Sequence, residues 1–408
     1  MMRQNADAPV IIIGAGLAGL RAAEGARRAG YTGALVMIGD EEHPPYDRPP
    51  LSKDFITAPA PPDVLLRDPD ELRNELNIEL RLGQAAEQLD VPGKRVRVGQ
   101  AWLDYSSIIL ATGYRSRTFS TNREEQNLYP VRTVTDGMRL RERLASGARH
   151  VAILGAGFIG SELASSTRSR GISVTLISTV RKPLSGALGD QVADALVQLH
   201  RSNGVDVRLG CSIAEVSESS ILLSDGSMVP ADVVAYGIGG EPATEWLAGS
   251  GIELDGFGVV CDEFLRAAPG VYAAGDIASW PSKLFDQQLR SPHWTAASEQ
   301  GVNAGHNAVS DAKEPFDTVP YYWSDLYGKR LQFVGVASGD QMMVVHDELP
   351  DGGFLALARS GDRISAACGI NMRRQIGVAR RHIRQQSSWS VAMEDLGVDQ
   401  NPAVLSRV

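Results

Sequence analysis

Two glycine-rich stretches have the residue types and spacing to do chemistry on phosphate. IIIGAGLAG carries Gly14, Gly16 and Gly19, and AILGAGFIG repeats the spacing with Gly155, Gly157 and Gly160. In a G-x-G-x-x-G turn the first glycine permits the tight bend. The second lets backbone approach a pyrophosphate, and the third lets a helix pack closely on the preceding strand. A helix starting there turns unpaired N–H groups and partial positive charge toward an anion. A single copy of this spacing is a weak signal; two copies, each between a strand and a helix, point to two dinucleotide sites.

The residues about twenty positions further on separate the two copies. The first unit ends in Gly39-Asp40, and Asp40 can accept both ribose hydroxyls. The second ends in TLISTVRKP, where Ser178 stands at the tip of the strand and Arg181 and Lys182 follow. The two sites are therefore expected to hold different nucleotides.

These residues must be positioned by recurring elements. Residues 10–40 read as strand, glycine turn, alanine-rich helix (LRAAEGARRAG) and strand (ALVMIGD). Residues 150–178 repeat that order, the pattern of a parallel α/β sheet. Residues 44–62 are proline-rich and predict a long loop. Within it, YDRPPLSKDF carries Arg48 and Lys53, each able to neutralise phosphate; taken alone it reads as a solvated basic loop. A hairpin (KRVRVGQAWLDY) precedes the strand SSIILATG, which ends at Thr112 and Gly113. A comparable run, ILLSDGSMVPADVVAYGIG, closes the second unit at Gly239. From about residue 319 aromatics cluster in YYWSDLYGKRLQFVG and no third fingerprint follows, which predicts a third, α+β domain. QNPAVLSRV reads as a weakly ordered tail.

Composition narrows the class. The 408 residues suffice for two or three domains. A formal net charge of −9 argues against a nucleic-acid binder. The first residues, MMRQNADAPV, lack the apolar core of a signal peptide, and no apolar run has the length of a membrane span. Cys211, Cys261 and Cys368 are far apart and form no C-x-x-C, so neither a zinc site nor a disulfide framework is suggested. A cytoplasmic, reduced protein is the expectation, as a monomer or weak homodimer.

GVYAAGDIA runs a short apolar strand into Gly275-Asp276. An Asp after Gly is ordinarily a turn residue, but in flavoproteins with two dinucleotide folds this arrangement aims the aspartate at the ribityl chain. Thr112 and Gly113 then stand where such proteins leave the first unit. This orders the chain as an FAD-binding domain (1–115 and 243–318), an NAD(P)H-binding domain (116–242) and a C-terminal α+β domain (319–408). The fold class is α/β, with two Rossmann-like domains in a glutathione-reductase-like arrangement.

GAGLAG, RPPLSKDF, ILATG, GAGFIGSELA, YAAGDIA, HWTAASEQG and VPYYWSDLYGKRLQFVG together resemble the FAD-dependent ferredoxin reductases of bacterial oxygenase systems. The resemblance extends over nearly the whole chain; apoptosis-inducing factor shares the fold and the RPPLSK loop. It implies that Gly14, Gly16, Gly19, Asp40, Arg48, Lys53 and Asp276 bind FAD. Lys53 and Glu162 match a charged pair beside the flavin and nicotinamide; Glu162 also reads as a favourable helix-start acid. Trp294 and Trp323 match aromatics bordering the flavin ring, and otherwise read as core tryptophans. Relatives commonly carry a Glu shortly before the first of these, where this chain has Ser291-Pro292-His293. His293 there reads either as a contact to the flavin edge or as a packing residue.

The implied reaction passes hydride from the nicotinamide to the flavin, then electrons singly to a [2Fe–2S] ferredoxin that feeds an oxygenase, an aromatic-ring dioxygenase or a P450. Lys53 would favour negative charge on the reduced flavin, and Glu162 would hold Lys53. An acidic ferredoxin is expected between the FAD and C-terminal domains, against MRRQIGVARRHIR with Arg373, Arg374, Arg380, Arg381 and Arg384; the plain alternative is a solvated helix face. NADH-specific relatives tend to carry an acid where Ser178 stands, so NADPH is expected to serve beside NADH, with Ser178 donating to a 2′-phosphate and Arg181 pairing with it. Lys182 is less telling, since NADH users also carry a cation nearby. Alternatively, Ser178 only caps the strand and the cations face water. Disulfide reductases need a cysteine pair, and NADH oxidases a cysteine within 41–55 where none exists. A nicotinamide-sensing signalling flavoprotein like apoptosis-inducing factor is the third alternative.

Overall fold

VIII at 10–13 and VAIL at 151–154 are unbroken apolar runs, as strands buried on both faces of a parallel sheet require. A computed structural model of the protein describes residues 8–119, 127–337, 342–349 and 352–398; the expected tail, 400–408, lies outside them. In chain order, the first glycine unit comprises β1 (Val10–Ile13), α1 (Leu17–Arg28), β2 (Leu35–Ile38), β3 (Ile78–Arg81) and β4 (Ser107–Leu110). Next come β5 (Leu128–Pro130), α2 (Val134–Ala145), β6 (His150–Leu154), α3 (Phe158–Ser169), β7 (Ser173–Ser178), α4 (Asp190–Ser202), β8 (Asp206–Leu209) and β9 (Val233–Tyr236). The chain then forms β10 (Arg266–Ala268), β11 (Val271–Ala273) and α5 (Trp294–Val309). It ends in β12 (Tyr321–Leu326), β13 (Lys329–Gly335), β14 (Met343–Asp347), β15 (Phe354–Ser360), β16 (Arg363–Ile370) and α6 (Arg373–Gln385).

These elements form two compact units. The first holds the chain up to Asp47, Val64–Arg115 and Glu241–Pro320; the second holds Arg48–Asp63, Ser116–Gly240 and the chain from Tyr321 on. In the first unit the six-stranded sheet runs β10-β11-β4-β1-β2-β3. β1 pairs in parallel with β2 and β4, setting Ile13 opposite both Ile38 and Leu110. Helix α1 packs on α5 through glycine: a Cβ on Gly25 would overlap the Val302 backbone, and one on Gly305 the Ala22 carbonyl.

In the second unit β8-β7-β6-β9-β5 form the parallel sheet, with Leu154 of β6 opposite Ile177 of β7. The C-terminal strands form an antiparallel sheet in the order β12-β13-β16-β15-β14. Leu331, Phe333, Phe354 and Cys368 of that sheet share one core with Val192, Leu196 and Leu199 of α4. The loop 48–63, read from the sequence as part of the first nucleotide domain, packs with this second unit. Helix α2 explains why. A reciprocal cap between Thr133 and Asp136 starts it, Gly137 leaves room for Phe55, and Arg141 donates to the carbonyls of Phe55, Ala58 and Pro59.

Candidate functional site

The three glycines of each fingerprint do three different jobs. A Cβ on Gly14 would overlap the Ala111 carbonyl, and one on Gly155 the Gly237 carbonyl; both residues also have positive φ. A Cβ on Gly19 would meet the Gly14 carbonyl and one on Gly160 the Gly155 carbonyl, so these two enforce close strand–helix packing. Gly16 and Gly157 are unlike the others: a Cβ there would meet nothing within 4 Å. Their bareness answers no contact within the chain and suits the approach of a pyrophosphate. Each is also the N-cap of a twelve-residue helix, and neither helix has a side-chain cap. The residues present fit two dinucleotides.

Around the first fingerprint, Thr112 Oγ1 donates to the Ala243 carbonyl at 2.6 Å, and Gly113 accepts from the Ala243 N–H. These bonds tie the end of β4 to the returning chain. Asp40 is exposed just beyond β2. Asp276 is half-buried in the turn after β11, where the Gly275 N–H donates to Gln300 Oε1 at 2.8 Å. Trp294 begins α5, half-buried rather than in the core, and its Nε1–H donates to Asp47 at 2.7 Å. His293 is the N-cap residue of that helix, with extended backbone.

Glu162 is the centre of the second site. It lies in the first turns of α3, only 4% exposed. Lys53 Nζ stands 2.8 Å from Oε1, the Ser324 hydroxyl donates to the same oxygen at 2.7 Å, and the Ser52 hydroxyl donates to Oε2 at 2.5 Å. A buried carboxylate persists only when paired and hydrogen-bonded. Two separate segments bring those partners to α3: the RPPLSK loop and β12. Strand alternation explains the last: Ser324 faces α3 while Tyr321 and Trp323, stacked at 5.9 Å, occupy the opposite face of β12. Ser52 and Ser324 escaped sequence reading although both lie inside quoted motifs, because a serine in a loop or strand carries no signal of its partner. Arg48 reaches the segment before α2, donating to the Arg132 carbonyl at 2.8 Å.

A second buried group supports α3. His200 of α4 is held between the Tyr327 hydroxyl, 2.6 Å from Nδ1, and Ser161 Oγ, 3.1 Å from Nε2. Burial pushes its pKa down to about 4, so the ring is neutral. Ser161 immediately precedes Glu162, and Tyr327 follows β12. The network therefore braces the two elements that meet at the carboxylate.

Beyond β7 stand the residues expected at the adenosine end. Ser178 is buried, and its Oγ accepts from the Val180 N–H at 3.2 Å. Arg181 is exposed. Lys182 is committed elsewhere: its Nζ lies 3.1 Å from Asp190 and 3.0 Å from Asp194, and those carboxylates raise its pKa. Gly239, with positive φ, accepts from the Arg117 N–H beyond β9. None of the three cysteines is in a disulfide, and burial raises the thiol pKa of Cys261, to about 12, and of Cys368.

An oxidoreductase built on two dinucleotide sites is the class this fold and these turns define. Residues 8–301 match the family described as pyridine nucleotide-disulphide oxidoreductase, and residues 321–399 match the reductase C-terminal domain. The chain belongs to that oxidoreductase family and, within it, to the ferredoxin reductases. The ferredoxin–NAD(+) reductase component of the anthranilate 1,2-dioxygenase system of Burkholderia cepacia is 35% identical, over 92% of this chain and 94% of that protein. Apoptosis-inducing factor 3 of Homo sapiens is 34% identical over 89% of this chain, which spans only 60% of that protein's length. The crystal structure of the covalent putidaredoxin reductase–putidaredoxin complex matches with a TM-score of 0.88 at 29% identity, covering 99% of this chain and 100% of that one. Among the described residues no helix is long and apolar enough to cross a membrane, and no cluster of three His, Cys, Asp or Glu could hold a metal ion.

Proposed function

We propose that this chain is an FAD-dependent reductase that draws electrons from NADH and delivers them to an acidic [2Fe–2S] ferredoxin serving an oxygenase. The observation that carries the reading is the buried Lys53–Glu162 pair at the head of the second fingerprint helix. FAD, when bound, accepts a hydride and releases electrons one at a time. The chain's residues position and tune. Gly14, Gly16 and Gly19 with the N-terminus of α1 would hold its pyrophosphate, Asp40 its ribose, and Asp276 its ribityl chain. Gly155, Gly157 and Gly160 with α3 would hold the nicotinamide dinucleotide.

Lys53 supplies positive charge at a fixed place because Glu162 and the Pro49 carbonyl anchor its ammonium group. Neither residue needs to transfer a proton. Trp294 and Trp323, both half-buried with polar or aromatic anchors, are proposed to border the flavin. For the partner, α6 presents Arg373, Arg374 and Arg384 as exposed cations. Arg381 instead pairs with Asp395 at 2.7 Å, and Arg380 lies 5.5 Å over the Tyr321 ring. The docking surface is therefore narrower than the five arginines of the sequence.

The test is steady-state, NADH-dependent reduction of a [2Fe–2S] ferredoxin by the FAD-loaded protein. Multiple turnover with an acidic ferredoxin is the expected result. A reduced complex that forms once and persists without passing electrons on would instead favour the signalling role suggested by similarity to apoptosis-inducing factor 3.

A further inference from the structure

We infer that the tip of β7 lets this reductase bind the 2′-phosphate of NADPH, with Arg181 as the residue that selects it. The inference rests on reading the second fingerprint as the nicotinamide site.

Register first settles which residues occupy the ribose position. Ile13 stands opposite Ile38 in the first sheet, and Leu154 opposite Ile177 in the second. The following glycines make the same bond: Gly14 N–H donates to the Ile38 carbonyl at 2.7 Å and Gly155 N–H to that of Ile177 at 2.8 Å. Counting on from these anchors, Ser178 takes the place of Gly39 and Thr179 takes the place of Asp40. The counterpart of the first unit's acid is thus Thr179, and both candidate positions are neutral. A carboxylate at either would favour the free ribose diol and repel a phosphate on it.

The cations next to this tip are not equivalent. Lys182 is held by Asp190 and Asp194 of α4, so its charge is already offset. Arg181 forms no ion pair among the described residues. Its stem is nevertheless placed, because Gly210, just beyond β8, has no side chain: a Cβ there would stand 3.1 Å from Arg181 Cγ. The guanidinium is thereby kept at the C-terminal ends of β7 and β8, the side where open α/β sheets bind nucleotides. Its planar fork suits two oxygens of a phosphate. Ser178 Oγ accepts from the Val180 N–H, which shapes the turn and leaves its own O–H free to donate.

The test is calorimetric binding of 2′,5′-ADP and of 5′-AMP to the FAD-loaded protein, with kcat/KM for NADPH and NADH alongside. The wild type should bind 2′,5′-ADP at least as tightly as 5′-AMP. Arg181→Ala should shift that ratio toward 5′-AMP by about tenfold or more, the size expected for a lost charge-assisted phosphate bond. Thr179→Glu, an exposed change that spares the strand, should shift it the same way and lower kcat/KM for NADPH relative to NADH. A wild-type preference for 5′-AMP of about tenfold or more, or a ratio unmoved by Arg181→Ala, would overturn the inference while leaving the reductase reading intact. If neither ligand binds, the nicotinamide reading of this site falls and the inference with it.

Discussion

Lys53 Nζ lies 2.8 Å from Glu162 Oε1, although 109 residues separate the two in sequence. The same carboxylate accepts hydroxyls from Ser52 and Ser324, so one buried anion collects three parts of the chain. Removing the ammonium leaves that anion with neutral donors only. Lys53→Met is expected to destabilise the protein by about 3 kcal/mol, the usual result of breaking one side of a buried pair. Lys53→Met with Glu162→Gln should lose distinctly less, since the residual charge is gone. Urea unfolding of the three proteins decides it: equal stability of Lys53→Met and wild type would show that the pair is unimportant. Slower flavin reduction or weaker FAD retention in Lys53→Met would in turn support its proposed place beside the flavin.

The glycines give a sharper separation of fold from binding. Gly157→Ala adds a methyl group where nothing lies within 4 Å, whereas Gly160→Ala drives one into the Gly155 carbonyl. Gly157→Ala should therefore fold with a Tm within about 2 °C of wild type and bind NADH about tenfold or more weakly. Gly160→Ala should lose stability outright. Thermal melts and NADH titrations read the two effects separately; unchanged NADH affinity in Gly157→Ala would contradict the assignment of that backbone to pyrophosphate.

What the sequence discloses here follows from what is local. The fingerprints, the parallel order of strands and helices, and the change to an α+β domain near residue 319 are written in short local patterns, and the structure returns them. Lys53 and Glu162 could be paired only through resemblance, because no local pattern brings residue 53 to residue 162. Ser52, Ser324 and the Ser161–His200–Tyr327 network depend on tertiary approach, to which a serine or histidine gives no clue. Lys182, less telling than Arg181 in the sequence, meets Asp190 and Asp194 only because a helical turn of α4 brings both against it. The loop 48–63 likewise changes allegiance because Arg141, more than eighty residues away, captures its carbonyls.

His200 should leave a signature in the pH dependence of stability. Its folded pKa is about 4 against an ordinary 6.5, because burial penalises the charged ring. The unfolded chain therefore binds the extra proton first. The stability His200 provides is fully present above about pH 6.5 and is lost progressively as pH falls toward 4, amounting to about 3 kcal/mol across that window. In His200→Gln this part of the slope should vanish, with about 1–2 kcal/mol lost at pH 7 as the Tyr327 hydroxyl loses its ring partner. Urea midpoints measured from pH 7 to pH 4 test the point, and identical slopes in the two proteins would refute it.

The arginines of α6 yield the last prediction. Arg373, Arg374 and Arg384 are exposed, while Arg381 is held by Asp395 and Arg380 by the face of Tyr321. An acidic ferredoxin approaching this helix would meet the first three. Changing them together to glutamate reverses the local field and should raise the KM for ferredoxin about tenfold or more at low salt. The gap should close as ionic strength rises and the Debye length falls below the separation of the charges. Reduction of ferricyanide, a small anion that needs no protein docking surface, should change far less. Arg381→Glu is the control within the helix: it breaks the Asp395 contact, an exposed pair whose loss costs at most about 1 kcal/mol, and should affect ferredoxin reduction less than the triple change. If ferricyanide and ferredoxin reduction fall in parallel in the triple variant, the cations of α6 act on the protein as a whole rather than on its partner.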